Sequence, residues 1–113
     1  MSKVKKEYDC ALVLTIDLIG GKWKLIILWY LISGAKRFGE LKKSIPSITQ
    51  KMLTEQLREL EERGIISRKV YATVPPKVEY SMTDIGTSLI PLINGLCKWT
   101  EGYAKENDIT LHD

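Results

Sequence analysis

Reactive side chains are few in this 113-residue chain, which has two cysteines, Cys10 and Cys97, and a single histidine, His112. A thiol beside an imidazole can act as a nucleophile, and both groups bind zinc. Three such residues, far apart and without a C-x-x-C motif, are too few for a four-ligand zinc site. The sequence also shows no nucleophile–histidine–acid set and no phosphate-binding glycine loop. We therefore expect no enzyme, no metal site and no cofactor.

A different chemistry is indicated by the polar residues of Ser47–Gly64, which reads SITQKMLTEQLRELEERG. At helical spacing its apolar residues form one stripe: Ile48, Met52, Leu53, Leu57 and Leu60. Four polar residues then face outwards: Gln50, Lys51, Thr54 and Arg58. Glutamine can form two hydrogen bonds with adenine, threonine can bond a base or touch a thymine methyl, and the two cations can reach phosphates. The exposed side of this helix therefore suits duplex DNA.

The two ends of this helix differ in chemistry. Ser47 or Thr49 can cap its start, and Ser47 with Gln50 fits a capping box. The helix dipole is positive at that end, which favours an approach to phosphate. The last turns carry acids instead: Glu59, Glu61 and Glu62. Because these would repel DNA, we expect the C-terminal end of the helix to tilt away from the duplex.

Glycine and proline divide the rest of the chain into elements. Helices are predicted at residues 10–21, 22–34, 37–46 and 47–64, and the second, apolar nearly all round, should be the buried central helix. A last helix should run from Thr83 towards Tyr103. Pro91 should kink or interrupt it, because the proline ring clashes with the preceding turn.

Between the fourth and last helices, the pattern changes to the period of a β-strand. Residues 65–72 and 77–83 alternate in polarity, and two prolines occupy the turn between them. This hairpin carries three cations: Arg68, Lys69 and Lys77. A short helix, a tight turn, a longer helix and a basic hairpin together predict a winged helix-turn-helix. The predicted fold class is thus mainly α with a small β-hairpin (α+β).

Length and charge narrow the class of protein further. We expect a single domain over residues 1–113. Residues 36–77 carry ten Lys and Arg against five Glu, whereas residues 78–113 carry two Lys against six acids. A basic centre favours a polyanionic partner. The longest apolar run, Leu25–Ile32, is far shorter than the roughly 20 residues of a membrane helix, so we expect a cytoplasmic protein with no membrane partner.

The sequence resembles the HxlR-type transcriptional regulators, a bacterial winged-helix group akin to the MarR-like proteins. The similarity covers nearly the whole chain, from Cys10 to Trp99. It is carried by Cys10, Ile19–Leu28, Arg37–Leu41, Ile48–Ile66, Val74–Thr83, Ile85–Gly86 and Trp99. Each piece is short, but their order and spacing together are specific.

This resemblance implies a homodimeric transcription factor on a pseudo-palindromic double-stranded DNA operator. The helix at residues 49–63 would enter the major groove, and the hairpin at residues 68–80 would be the wing. The first and last helices would form the dimer interface, in agreement with the wide apolar face of Ile85–Tyr103. The predicted DNA-binding residues are Ser47, Thr49, Gln50, Lys51, Thr54, Arg58, Arg68, Lys69 and Lys77.

The resemblance also makes Cys10 a candidate redox sensor, since the N-terminal cysteine senses oxidants or electrophiles in part of the family. Family members often have proline after this cysteine, whereas Ala11 follows Cys10 here. The alternative is a small residue packed at the dimer seam. Cys97, inside the last helix, is expected to be a packing residue. Whether a small-molecule or electrophile effector exists is left open.

A second function remains open at this level. A winged-helix domain can bind protein instead of DNA, with its basic face against an acidic partner. Salt dependence separates the two functions, because phosphate contacts release counterions.

Overall fold

The computed structural model describes residues 4–112. Its elements follow in the order α1 (Ala11–Ile19), α2 (Lys24–Leu31), α3 (Phe38–Ser44), α4 (Gln50–Glu62), β1 (Ile66–Tyr71), β2 (Lys77–Met82), α5 (Asp84–Thr87) and α6 (Ile90–Glu106). The predicted mainly helical fold with a small β-hairpin is confirmed. α3, α4 and the β1–β2 hairpin follow one another in the predicted winged helix-turn-helix order.

The predicted central helix, α2, does lie in the core. Ile27 and Leu28 are fully buried, and Leu31 nearly so. The same cluster contains residues from α3, α4, β1 and α6, so α2 is the element around which these helices and the hairpin pack. Its outer side remains exposed, because Ile26 and Trp29 are not covered.

α3 and α4 form the helix-turn-helix pair. A short turn connects them, in which the Ile48 N–H donates to the Ile45 carbonyl at 3.2 Å. α4 ends as predicted at Gly64, whose φ of +72° is left-handed. The Gly64 N–H donates to the Glu61 carbonyl, and the Ile65 N–H donates to the Leu60 carbonyl. These two bonds define a Schellman ending, which turns the chain directly into the wing.

The wing is an antiparallel hairpin of β1 and β2 in which Ile66 pairs with Met82 and Tyr71 pairs with Lys77. Lys36 adds a short third segment to the sheet. Its N–H and carbonyl exchange hydrogen bonds of 2.9 and 2.8 Å with Tyr80. No sequence pattern indicated this bridge, because a single residue pair has no period. It anchors the wing to the chain just before α3.

The predicted last helix is interrupted, and Pro91 marks the place. α5 begins after Thr83, whose side chain accepts a hydrogen bond from the Gly86 N–H. α6 starts at Ile90, with Pro91 in its first turn. The N–H groups of a first turn have no acceptor within the helix, so a proline there costs no helical hydrogen bond. A Cβ on Gly86 would lie 2.2 Å from the Ile65 carbonyl oxygen. Glycine is therefore required where α5 passes the end of α4.

α1 and α6 extend from this core with little cover. α1 is strongly apolar, yet it contains no buried residue, and among the 17 residues of α6 only Ile93 and Ala104 are buried. The radius of gyration is 15.5 Å, above the roughly 13 Å of a compact domain of this size. Within residues 4–112, no helix is long and apolar enough to cross a membrane.

Candidate nucleic-acid interface

The outward side of α4 carries the four polar residues predicted for DNA. At 3.6 residues per turn, they fall within a sector of about 100° around the helix axis. All four are exposed: Gln50, Lys51, Thr54 and Arg58. The opposite side holds Leu53, Leu57 and Leu60, which are buried in the core. The structure therefore brings these four residues together on one side of the helix, with Gln50, Lys51 and Thr54 at its N-terminal end and Arg58 about two turns from Gln50.

The cap of α4 is Thr49 rather than Ser47. The Thr49 hydroxyl accepts a hydrogen bond of 3.0 Å from the Met52 N–H, and its backbone is extended, as at a helix N-cap. Ser47 lies in the turn before it. The Ser47–Gln50 capping box is therefore wrong. Ser47 remains exposed beside the start of α4, where its hydroxyl is not used by the cap.

Thr54 has a restricted hydrogen-bonding role. Its hydroxyl donates to the Gln50 carbonyl at 2.8 Å, one turn back along α4. A threonine bonded in this way presents its methyl group and oxygen lone pairs outwards. In this rotamer, Thr54 can accept a bond from a base amino group or contact a thymine methyl, but it cannot donate. The Gln50 side chain, in contrast, has both donor and acceptor groups.

One flank of α4 forms hydrogen bonds with a buried lysine of α2, a contact that the hydropathy of the sequence did not predict. Lys24 of α2 is fully buried, and its Nζ donates to Gln56 Oε1 at 2.8 Å and to Glu59 Oε1 at 2.6 Å. Gln56 is also buried. Arg63 Nη1 lies 3.8 Å from the same Glu59 oxygen. We call Lys24, Gln56 and Glu59 the α2–α4 polar cluster.

This cluster corrects the prediction for the acidic end of the helix. Glu59 was expected to face outwards and repel DNA, but it points inwards and is neutralised by Lys24. Glu61 and Glu62 remain exposed. The burial of Lys24 and Gln56 could not be predicted from the sequence, because lysine and glutamine side chains normally lie at the protein surface. The only available signal was their position beside strongly apolar neighbours.

Two wing cations lie on one face of the hairpin, around one aromatic ring. Lys69 Nζ and Lys77 Nζ are 4.8 and 4.9 Å from the centroid of Tyr71. Lys77 also lies 3.4 Å from Glu79. A hydrogen bond from Tyr71, with help from Lys77, lowers the pKa of Glu79 below its ordinary value. Glu79 therefore stays ionised at neutral pH and offsets part of the charge of the wing.

Arg68 is separated from the other two wing cations. Its side chain lies on the opposite face of β1, where Arg68 Nε is 3.9 Å from Glu61 Oε1 of α4. Both side chains are close to half exposed, so this ion pair contributes about 0–1 kcal/mol at most. Such a pair can open to let Arg68 reach a phosphate, or it can fix the angle between the wing and α4.

The residues singled out for thiol chemistry do not form a site. Cys10 is exposed immediately before α1, and Cys97 is partly buried in α6 against the core. Cys97 also lines an apolar groove of about 400 Å³ between α2 and α6, together with Trp29 and Leu96. Within residues 4–112, no cluster of His, Cys, Asp and Glu could hold a metal ion.

Comparison with known proteins assigns this arrangement to a family. Residues 18–108 match a family described as HxlR-like helix-turn-helix. The chain belongs to the HxlR-like helix-turn-helix family. One relative, the uncharacterised HTH-type transcriptional regulator YkvN of Bacillus subtilis, is 52% identical over 101 residues, which cover 89% of this chain and 86% of YkvN.

Solved structures of a redox regulator and of a MarR-family regulator share the fold. The redox regulator HypR in its reduced form superposes with a TM-score of 0.83 at 48% identity, covering 88% of this chain and 98% of HypR. A transcriptional regulator of the MarR family from Enterococcus faecalis superposes with a TM-score of 0.78 at 35% identity, covering 96% of this chain and 98% of that one. These similarities confirm the predicted resemblance and the predicted class, a DNA-binding regulator of transcription and not an enzyme.

The cap of α4 gives a first test of the interface geometry. We expect Thr49→Ala to lower the free energy of unfolding by about 1 kcal/mol, because the Met52 N–H loses its partner. Ser47→Ala, in the preceding turn, should change it by less than about 0.5 kcal/mol. Urea denaturation of both variants measures the difference. Equal losses, or a larger loss for Ser47→Ala, would contradict the assignment of Thr49 as the cap.

Proposed function

We propose that the protein acts as a homodimer on a pseudo-palindromic DNA operator in the cytoplasm, with the first turns of α4 in the major groove. The observation that carries this proposal is the two-sided character of α4, which buries one stripe and leaves a polar face at its N-terminal end. The proposed contacts are Ser47, Thr49, Gln50, Lys51, Thr54 and Arg58 of the helix region, with Arg68, Lys69 and Lys77 of the wing.

The dimensions of α4 suit this role. An α-helix with its side chains is about 10–12 Å in diameter. The major groove is about 12 Å wide and admits one helix, whose N-terminal residues usually meet the bases. Gln50 and Thr54 are therefore assigned to base edges, and Lys51 and Arg58 to phosphates. Ser47 and the Thr49 backbone lie beside the positive end of the helix dipole, which suits a phosphate.

The wing supplies a second set of backbone contacts. Lys69 and Lys77 flank Tyr71 on one face, so their charges are held close together rather than dispersed over the hairpin. Contacts of lysines with phosphates position a protein without specifying sequence. Two wing cations have competing acidic partners: Arg68 is paired with Glu61 of α4, and Lys77 with Glu79 of β2. Arg68 would have to leave its pair to bind DNA.

Dimerisation is supported by the uncovered apolar surface of α1 and α6. Leu12 of α1 and Trp99 of α6 are 70% and 69% exposed. Trp99 stacks on Tyr103, with 5.7 Å between ring centroids, so two large aromatic rings meet solvent together. Monomeric proteins rarely expose so extended an apolar surface. A second copy would cover it and would supply the two-fold symmetry that a palindromic operator requires.

Salt dependence tests DNA binding against the alternative of a protein-interaction module. Binding to a duplex selected from a random library should weaken steeply with salt. Lys51→Ala and Lys69→Ala should each flatten the plot of log affinity against log salt by about 0.9 per lost phosphate contact, or about twice that for a dimer. Fluorescence anisotropy at several salt concentrations measures the slope.

The matched control is Lys105→Ala, an exposed lysine in the last turn of α6. It removes the same charge away from α4 and the wing, and its slope should remain that of the wild type. Duplex binding that neither Lys51→Ala nor Lys69→Ala changes would exclude the proposed interface. Absence of any salt-sensitive duplex binding would favour the protein-interaction module.

Oligomeric state is tested at the apolar surface itself. We expect the wild type to sediment as a dimer at micromolar concentration and Leu96→Glu to sediment as a monomer, because a buried unpaired carboxylate opposes association. Leu96 is about half exposed in the single chain, so its replacement should leave the fold intact. Val74→Glu at the fully exposed wing tip is the control and should remain dimeric. A monomeric wild type would contradict the proposal.

Cys10 is proposed as a thiol that makes DNA binding sensitive to oxidants. Its exposure at the start of α1 leaves the sulfur accessible, and α1 belongs to the proposed dimer surface. HypR, described as a redox regulator, is a structural neighbour. Diamide should change operator affinity in the wild type and in Cys97→Ser, but not in Cys10→Ser, as measured by anisotropy. An undiminished response in Cys10→Ser would remove Cys10 from the mechanism.

A further inference from the structure

The α2–α4 polar cluster is not explained by the contacts proposed for DNA. Lys24 is a fully buried cationic side chain, and its hydrogen bonds to Gln56 and Glu59 go to the same flank of α4. Gln56 and Glu59 are three residues apart, so they lie on successive turns of one helix face. Neither belongs to the outward sector that holds Gln50 and Thr54.

Apolar packing defines the orientation of α4 less sharply than hydrogen bonds do. Leucine side chains from Leu53 to Leu60 bury the helix, but hydrophobic contact is non-directional. Hydrogen bonds from an ammonium group are directional and short, and they specify which atoms must face each other. Two such bonds on successive turns fix both the rotation of α4 about its axis and its position along α2.

We propose that Lys24, through Gln56 and Glu59, is a positioning residue that sets the rotation of α4 in the DNA groove. This inference rests on the proposed function, because it concerns how accurately α4 presents Gln50 and Thr54 to bases. Wing and helix contacts to phosphates tolerate a small rotation, since they do not depend on base identity. Bidentate contacts to a base edge do not tolerate it. The cluster therefore acts on sequence discrimination and leaves non-specific affinity unchanged.

Buried ionic groups can often be replaced by apolar ones with no loss of stability. A variant without the cluster can therefore remain folded, and a change in its DNA discrimination then reports on the orientation of α4. The test variant combines Lys24→Met, Gln56→Met and Glu59→Gln. It removes one positive and one negative charge, so the net charge remains +3. The side chains keep similar lengths, and the amide introduced by Glu59→Gln keeps a polar atom near Arg63.

The measured quantity is the affinity for a duplex selected by the wild type divided by the affinity for a scrambled duplex of equal length. We expect this ratio to fall by about tenfold or more in the triple variant, the effect of losing one bidentate base contact. Affinity for the scrambled duplex and its salt dependence should stay at wild-type values. Thermal unfolding of the same samples shows whether the variant remains folded.

Two further variants keep the test decisive. Glu59→Asp preserves the charge but shortens the acceptor by one methylene, so a folded protein is expected with a smaller loss of the ratio. Ile27→Val, in the same buried helix, lowers stability without touching a polar contact, and its ratio should match the wild type. Support requires a lower ratio in the folded polar-cluster variants and an unchanged one in Ile27→Val.

Three results would overturn the inference. A wild-type ratio in the folded triple variant or in Glu59→Asp would show that α4 is oriented without the cluster. An equal loss in Ile27→Val would show that stability alone governs discrimination. A wild type that prefers no duplex over another would instead refute the proposed function, and the inference would fall with it.

Discussion

The contact of Lys24 with Glu59 is the interaction on which the proposed DNA-binding surface of α4 depends. Removing the Lys24 ammonium group from water costs several kcal/mol, and its close hydrogen bonds to Gln56 and to the partly exposed Glu59 offset that cost. It joins the buried central helix to the flank of α4. The same contact neutralises a carboxylate that would otherwise lie on the helix presented to a polyanion.

α4 can therefore be exposed and fixed at the same time. A helix that enters a groove must leave one side uncovered, which removes packing partners from that side. The compensating contacts lie elsewhere: Leu53 and Leu57 in the core, Thr49 at the cap and Gly64 at the end. Thr83 closes the far end, since its hydroxyl donates to the Gly64 carbonyl oxygen at 2.6 Å. Every turn of α4 is thus held by a contact away from the polar face.

Much of this arrangement could be predicted from the sequence, because it depends on periodicity and on residues with unusual backbones. The apolar stripe of α4, the left-handed Gly64 and the interruption near Pro91 are of this kind. The cluster could not be predicted, because hydropathy assigns Lys24 and Gln56 to the surface. The sequence also could not show whether Ser47 or Thr49 caps α4, because both have the required hydroxyl and only the backbone geometry distinguishes them.

The proposed dimer follows from a different physical argument than the proposed DNA interface. α4 is polar where it is exposed, so water can satisfy it until DNA arrives. α1 is apolar where it is exposed, and no residue of it is buried within the chain. A helix of nine residues is marginal in water without tertiary packing. Only Leu18 and Ile19, at the C-terminal end of α1, pack against the core of the chain. The proposed second copy would cover the remaining apolar side of α1. In the proposed redox response, an oxidant that modifies the exposed Cys10 at the start of α1 would act at this proposed interface. A thiol distant from α4 could in this way alter the spacing of the two α4 helices in the proposed dimer.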